Sequence, residues 1–539
     1  MNSVAFLKDT NLVLIEARRA ARALRQDKPS RRRMLKLCQS LLADRAPEPP
    51  LAALWSLLAP LQVDERYYWI GTFYTLLLPP NERSAQAAYF TPPHLARGFV
   101  EMAERQGVNP KVHTAIDPAA GGASFLSTIA GTMLAAGLDQ AAILERLRGY
   151  EIDEALAALS ESLLAHRLRC RVSRGTVVAV KDSLRARPQT RYDLVIANPP
   201  YGRISPSELA DEKWRLVCHP GHINKYALFA ELCFRLAKDD GLIALVLPSS
   251  FVAGPLYGRL RSFIRTNGEI LAVSSVERRA DVFVDVAQDI SVLMIRKAAG
   301  HRAGSKVTFG SYGRSFKVGS VSSLPTDIEG PWISSGAATS LAVGGATLAD
   351  YGATLRSGYF VWNREKARML QRAQGDFDVP LIWAKNIRAG GFCQPAARKR
   401  EGIDFVRFAA DSPAIIREQA LVMQRTTNSA QPRRLIVSRV SPSVLEEWGG
   451  FVSENHTITV TGPDIATLNA LRLLLNSAAV DARYRLLSGT ASVSVNLLRK
   501  LDLPKPHVLL DAIQEHGVCE RAVEEAYRRS AVALAEVGT

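Results

Sequence analysis

The segment Asn198-Pro199-Pro200-Tyr201 follows directly on the apolar run Leu194 to Ala197 and carries side chains suited to a specific piece of chemistry. Two consecutive prolines fix the backbone behind Asn198, so its carboxamide oxygen and the Pro199 carbonyl can be held as two acceptors facing one pocket. A planar amino group offers two N–H donors to meet them. Its nitrogen lone pair is delocalised and a poor nucleophile, and paired acceptors draw it toward a pyramidal, more reactive form. Tyr201 supplies a ring on which a flat substrate can stack. Alone, the segment says only that some planar nitrogen accepts a group, and a proline turn with a buried tyrosine is the bland alternative.

Three further runs end in residues of chemical interest. In Thr114 to Leu126 an apolar run ends in Asp117, turns through Ala119, Gly121 and Gly122, and enters a helix-like stretch. Small residues there let a ligand approach the backbone, although the glycines serve equally as turn residues. No Gly-Lys-Ser/Thr follows, so it is not a phosphate loop. Gly149-Tyr-Glu-Ile-Asp153 places Glu151 where a carboxylate accepts from ribose hydroxyls in nucleoside-binding sheets, while Asp153 reads equally as the cap of the next helix. Val178 to Leu184 offers Asp182, a carboxylate able to accept from an adenine amino group.

These segments need a frame that brings their ends together. Short apolar runs at His113–Ile116, Gly149–Ile152, Thr176–Val180, Leu194–Ala197, Leu242–Leu247, Val273–Val276 and Ile290–Ile295 alternate with helix-like stretches. The pattern predicts a doubly wound α/β sheet, with ligands beyond the carboxyl ends of its strands. We expect this core over 81–304, a helical segment over 1–80, and a second, mixed α+β domain over 305–539. Residues 330–345, rich in small side chains, read as a linker. The arginines at 18, 19, 22, 25 and 31–33 read either as a solvated face or as phosphate contacts, and no site is assigned to them. The length of 539 residues accommodates several domains. A net charge of +16 makes polyanions natural partners. Six scattered cysteines show no paired CxxC spacing, so neither a disulfide framework nor a zinc site is read, and no other metal-ligand cluster is seen. No apolar stretch approaches the roughly 20 residues needed to span a bilayer, and the first 19 residues lack the order of a secretory signal. The expected compartment is the cytoplasm.

In chain order these segments resemble the γ-class of amino-group DNA methyltransferases, the adenine-specific TaqI-like type of restriction–modification systems. The resemblance covers about residues 84 to 300. It implies a Rossmann-like methyltransferase sheet and S-adenosylmethionine as methyl donor, with Tyr89, Thr91 and Pro92 lining its methionine end, and Asp117, Ala119 and Gly121 forming the cofactor loop. It further implies Glu151 and Ile152 as ribose and adenine contacts, Asp182 on the cofactor adenine, Asn198 to Tyr201 as the catalytic motif, and Tyr201 with Phe283 on either face of a flipped-out base. One departure stands in the turn: position 123 is alanine where the family has a second glycine, and its methyl could crowd the methionine moiety. Segments such as Leu421 to Thr427, Ser453 to His456 and Leu498 to Pro506 are similar to target-recognition domains, in which Arg425 and Arg434 suit phosphate or guanine contacts. The implied partners are double-stranded DNA and a separately encoded restriction endonuclease, with the chain a monomer. Two alternatives stay open: methylation of an RNA base or a protein amide, and a non-catalytic subunit of a multi-protein defence complex.

Overall fold

A computed structural model describes residues 3–79, 82, 90–209, 211–276, 290–312, 315–332, 344–375, 378–393, 404–426, 431, 433–487 and 493–537. Tyr89 and Phe283, both expected at the site, lie outside these described residues. The chain divides into two units, residues 1–335 and 336–539.

The first unit is built on a nine-stranded sheet: β1 Ala115–Asp117, β2 Leu147–Glu151, β3 Val178–Val180, β4 Tyr192–Ala197, β5 Ala237–Pro248, β6 Gly268–Val276, β7 Ile290–Lys297, β8 Lys306–Tyr312 and β9 Phe316–Ser323, in the order 3-2-1-4-5-7-6-8-9. Strands β3, β2, β1, β4 and β5 run parallel, and β7 is antiparallel to both β5 and β6. This is the doubly wound α/β sheet that the alternating runs predicted. Because successive strand residues face opposite ways, an apolar run with no polar partner must be covered on both sides. That is what happens here: Leu194, Ile196, Leu242, Ala244 and Val246 enter one core, with Phe99, Phe125 and Ile129 from the helices Pro93–Arg105 and Ser124–Ala135. Val195, Ala197, Ile243, Leu245 and Leu247 enter the other, with Tyr226, Ala230 and Cys233 of the helix Lys225–Leu236.

The helices Ser3–Arg25, Arg31–Ser40, Ala52–Leu58 and Val63–Leu77 form the helical N-terminal segment. They bury Ala17, Met34, Leu54, Ile70 and Phe73 in one cluster with Ala155, Leu156, Leu159 and Leu163 of the helix Glu154–Leu168. The segment is thus a further layer on the sheet's own helix.

The core limit expected at residue 304 falls short of the sheet. β8 pairs parallel with β6 and β9 antiparallel with β8, so the sheet runs on to Ser323. Tyr312 on β8 donates its hydroxyl to the His94 carbonyl at 2.6 Å and lies over Gly98, where any Cβ would meet the ring. Beyond it, Arg261 donates to the Glu329 carbonyl at 2.9 and 2.5 Å, and Trp332, 1% exposed, packs on Phe251. The start of the expected linker is therefore packed core. β9 looked like a change of domain because it is exposed at half of its positions and buries one, so it needs few apolar residues.

The second unit is mixed α+β. A five-stranded sheet orders Thr354–Ser357, Thr457–Thr461, Ala420–Gln424, Val437–Val440 and Phe392–Cys393, and a four-stranded sheet contains Met369–Leu370, Phe405–Arg407, Asp378–Ile382 and Val452–Ser453. The helices Ile465–Asn476, Ala478–Leu487, Pro506–His516 and Glu520–Val537 share one core with the larger sheet.

Candidate functional site

The parallel strands β1 to β4 all end on one edge, and residues at or just beyond their ends line a cleft of about 1330 Å3. Of the residues expected at the site, Ala119, Gly121, Glu151, Ile152, Asp182, Asn198 and Pro200 line it. Asp117, Thr91, Pro92, Pro199 and Tyr201 are not among its lining residues.

At the end of β1, Asp117 is 2% exposed and accepts the Ala119 N–H at 2.9 Å, holding the turn from beneath. Burial, with Glu151 nearby, pushes its carboxyl up to about 8. The turn is tight: the Ala120 N–H donates to the Tyr150 carbonyl at 2.9 Å, and Gly121 takes φ +51. Ala123 takes φ +55, ψ 27, the left-handed region that costs an alanine and not a glycine. It is fully buried in the core below the turn and is not part of the cleft wall, so its methyl is turned away from the space a ligand would fill. The tight neighbour of the turn is instead Phe90, whose ring a Cβ on Gly122 would meet at 2.3 Å.

At the end of β2, Glu151 accepts the Gly121 N–H at 3.0 Å with one oxygen and the Asp153 N–H at 2.9 Å with the other. It therefore ties the first two strand ends together. Each carboxylate oxygen has a second lone pair, which suits it to a pair of ribose hydroxyls. Burial raises its carboxyl to about 6, against the lowering effect of those amides. Ile152 is 66% exposed in the cleft, an apolar surface of the kind a purine ring covers. Asp153 is the helix cap that its position allowed: its Oδ1 accepts from the Ala155 and Leu156 N–H groups at 2.9 and 3.0 Å. Asp182 after β3 accepts the Leu184 N–H at 3.0 Å and stays partly open to the cleft.

At the end of β4, the Asn198 amide nitrogen donates to the Thr91 hydroxyl at 3.2 Å. That bond orients the carboxamide, so Thr91, 4% exposed, serves the motif as a brace for Asn198. The Asn198 oxygen accepts from the Tyr201 hydroxyl at 3.3 Å, and the Val246 carbonyl lies 3.5 Å from the same hydroxyl. The Tyr201 ring meets Tyr226 edge to face at 6.2 Å between centroids. Pro92 starts the helix Pro93–Arg105 from an extended backbone.

Sequence reasoning missed part of the wall. Arg31 and Arg32 line the cleft from the N-terminal helices, and Phe90 and Lys181 contribute, the latter 4.9 Å from the Tyr150 ring centroid. Phe90 sits between Tyr89 and Thr91 in the segment already singled out. For Arg31 no local pattern distinguished it from its neighbours. In the second unit, Arg434 is 4% exposed, which removes it from the surface where a phosphate would be met. The Arg425 guanidinium donates to the Asn455 carbonyl at 3.3 Å.

Comparison with known proteins gives this cleft a context. The Type II methyltransferase M.BsuBI of Bacillus subtilis is 23% identical over 350 residues, 61% of this chain and 68% of that protein. The Type II methyltransferase M.TthHB8I of Thermus thermophilus is 29% identical over 217 residues, 38% of this chain and 44% of that protein, less than half its length. Among solved structures, the Type IIL restriction-modification enzyme MmeI in complex with DNA aligns with a TM-score of 0.52 over 90% of this chain and 80% of its own, at 11% identity, a likeness of fold. Residues 67–321 match the N-6 DNA methylase family, from the last of the N-terminal helices to β9. S-adenosylmethionine is the methyl donor of that family, and the carboxylates and the apolar Ile152 at the strand ends fit its adenosine half. Over residues 67–321, a little under half of the chain, the sequence is similar to the N-6 DNA methylase family.

Proposed function

We propose that this chain methylates the N6 amino group of adenine at a specific sequence in duplex DNA, as the modification enzyme of a restriction–modification system. The observation that carries the reading is Asn198, held by Thr91 at the end of β4 on the same cleft as Glu151, Ile152 and Asp182. In this reading Glu151 binds the ribose hydroxyls, Ile152 covers one face of the cofactor adenine, and Asp182 accepts from its amino group. S-adenosylmethionine, when bound, supplies an electrophilic methyl on a sulfonium. The Asn198 oxygen and the Pro199 carbonyl accept hydrogen bonds from the two N–H groups of the target amino group, which concentrates the lone pair on nitrogen in line with that methyl. As the methyl–sulfur bond breaks and the N–C bond forms, the amine becomes cationic and then loses one proton to solvent. Tyr201 leaves its present bond to Asn198 as the base arrives and stacks on the base, which an enzyme acting on it must extrude from the duplex. The second unit selects the sequence, the cognate nuclease is a separate chain, and the protein works as a monomer in the cytoplasm.

Expression in a host lacking adenine methylation, followed by single-molecule sequencing of its DNA, tests this directly. Modified adenines in one sequence context are expected. Their absence, together with failure of the purified chain to methylate unmodified duplex DNA, would refute the reading. Methyl transfer to RNA or to a protein amide under the same conditions would favour the rival acceptor.

A further inference from the structure

Arg31 stands at the start of the helix Arg31–Ser40, which Ser30 caps by accepting the Arg33 N–H at 3.3 Å. Three contacts hold its guanidinium. Nη1 lies 3.1 Å from Asp153 Oδ2 and 3.5 Å from the Tyr74 hydroxyl, and Nη2 lies 2.6 Å from Glu82 Oε2. Tyr74 is completely buried and donates to Asp153 Oδ1 at 2.9 Å. Asp153 thus receives two side chains from the N-terminal helices while it caps the helix Glu154–Leu168 and gives its own N–H to Glu151. Its side chain is 9% exposed, and Arg31 is its cation among the described residues. A carboxylate at that depth is costly without such a partner. One residue, Asp153, and two bonds separate Arg31 from the carboxylate on the cleft wall.

We propose that Arg31 is a positioning residue of the cofactor site: through Asp153 it fixes the Glu151–Ile152 turn, which makes the N-terminal helices a working part of ligand binding. The inference rests on the reading of Glu151 and Ile152 as the contacts for the adenosine half of S-adenosylmethionine. Because Arg31 directs Nη1 at Asp153 and Tyr74 and Nη2 at Glu82, the effect assigned to it passes through the adenosine half of the ligand and not through the methionine carboxylate. The two routes make different predictions for a ligand that lacks the carboxylate.

The test is titration calorimetry on the full chain with S-adenosylmethionine and with 5′-deoxy-5′-methylthioadenosine, which keeps the adenosine and has no carboxylate. R31Q is expected to weaken both ligands by the same factor, about tenfold, a size common for coupled contacts. R31K, which keeps the charge but not the fork, should recover part of the loss. R31Q added to D153N should cost little beyond D153N alone. In turnover with DNA from a host lacking adenine methylation, KM for S-adenosylmethionine should rise while kcat at saturating cofactor holds. Unchanged affinity in R31Q would overturn the proposal. So would a loss confined to S-adenosylmethionine, which would mean that Arg31 meets the carboxylate itself. If R31Q fails to fold in a thermal scan, R31K and Y74F carry the same comparison. Failure of the unmodified chain to bind either ligand would instead refute the underlying reading of the cleft, a distinct outcome.

Discussion

Replacing Ala123 by glycine, the residue the family pattern has at this position, separates two accounts of the cofactor turn. Were the methyl crowding the ligand, its removal would tighten cofactor binding. The structure argues otherwise, since Ala123 is fully buried in the core and absent from the cleft wall. The stability terms nearly cancel. Glycine relieves the left-handed conformation at φ +55, worth about 1–2 kcal/mol. Against this, it gives up a buried methyl, about 0.8 kcal/mol, and adds freedom to the unfolded chain, about 0.4–1 kcal/mol. The Ala123 backbone bonds, from its N–H to the Ala120 carbonyl and from the Ser127 N–H to its own carbonyl, both 2.7 Å, are available to either residue. A123G should therefore shift unfolding free energy by less than about 1 kcal/mol in either direction, and change S-adenosylmethionine affinity by less than about threefold, as chance variation in one methyl contact would. Urea unfolding and titration calorimetry measure the two quantities. A tightening of tenfold or more would show that the methyl does project into the ligand's space and that the placement argued here is wrong.

Other expectations follow from the same geometry. N198A should retain cofactor binding while kcat falls about 10²–10³-fold, the loss usual for one transition-state hydrogen-bond partner, and an unaltered kcat would remove Asn198 from the chemistry. E151Q loses the charge and, with one acceptor oxygen where Gly121 and Asp153 each use one, also one of the two backbone bonds, and should weaken S-adenosylmethionine at least about tenfold. Asp117 holds its proton to about 8 in the fold and releases it near 3.8 when exposed, so between those values the native state binds more protons than the unfolded one. Stability of the free protein should fall as pH rises through that window, by up to about 1.4 kcal/mol per unit from this group. D117N should flatten the urea midpoint against pH between 5 and 8, and an identical slope in the variant would disprove the assignment.

The sheet and the strand-end residues were legible because both depend on short-range pattern. Parallel strands covered on two faces are near-continuous apolar runs, so Leu194 to Ala197 and Leu242 to Leu247 declared themselves, and β4 and β5 contain them. What a strand end does was half legible. Glu151 and Asn198 do reach one cleft. Thr91 lies in the expected segment, yet its partner is Asn198, a contact across 107 residues of chain that no local spacing reports. The end of the core was misjudged for a related reason. β8 and the edge strand β9 are only partly buried, and their Gly, Ser and Lys content carries little apolar signal even though Tyr312 anchors them firmly.

Charge was the least legible property, because a sequence counts arginines but does not say which are spent. Arg31 and its two basic neighbours are alike as letters, yet Arg33 meets Asp27 in a pair exposed on both sides, while Arg31 reaches a nearly buried Asp153. An exposed pair contributes about 0–1 kcal/mol, whereas removing one partner of a buried pair costs several times more. Arg434 makes the same point in the second unit, where a residue that reads as a phosphate contact is interior. The net charge of +16 thus does not say which cations the surface offers a polyanion, since some of its positive members hold the fold. It follows that the salt dependence of DNA binding should reflect only the exposed arginines and lysines. Neutralising Arg434 should lower stability and leave the slope of log affinity against log salt unchanged, whereas a phosphate contact would reduce that slope by about one.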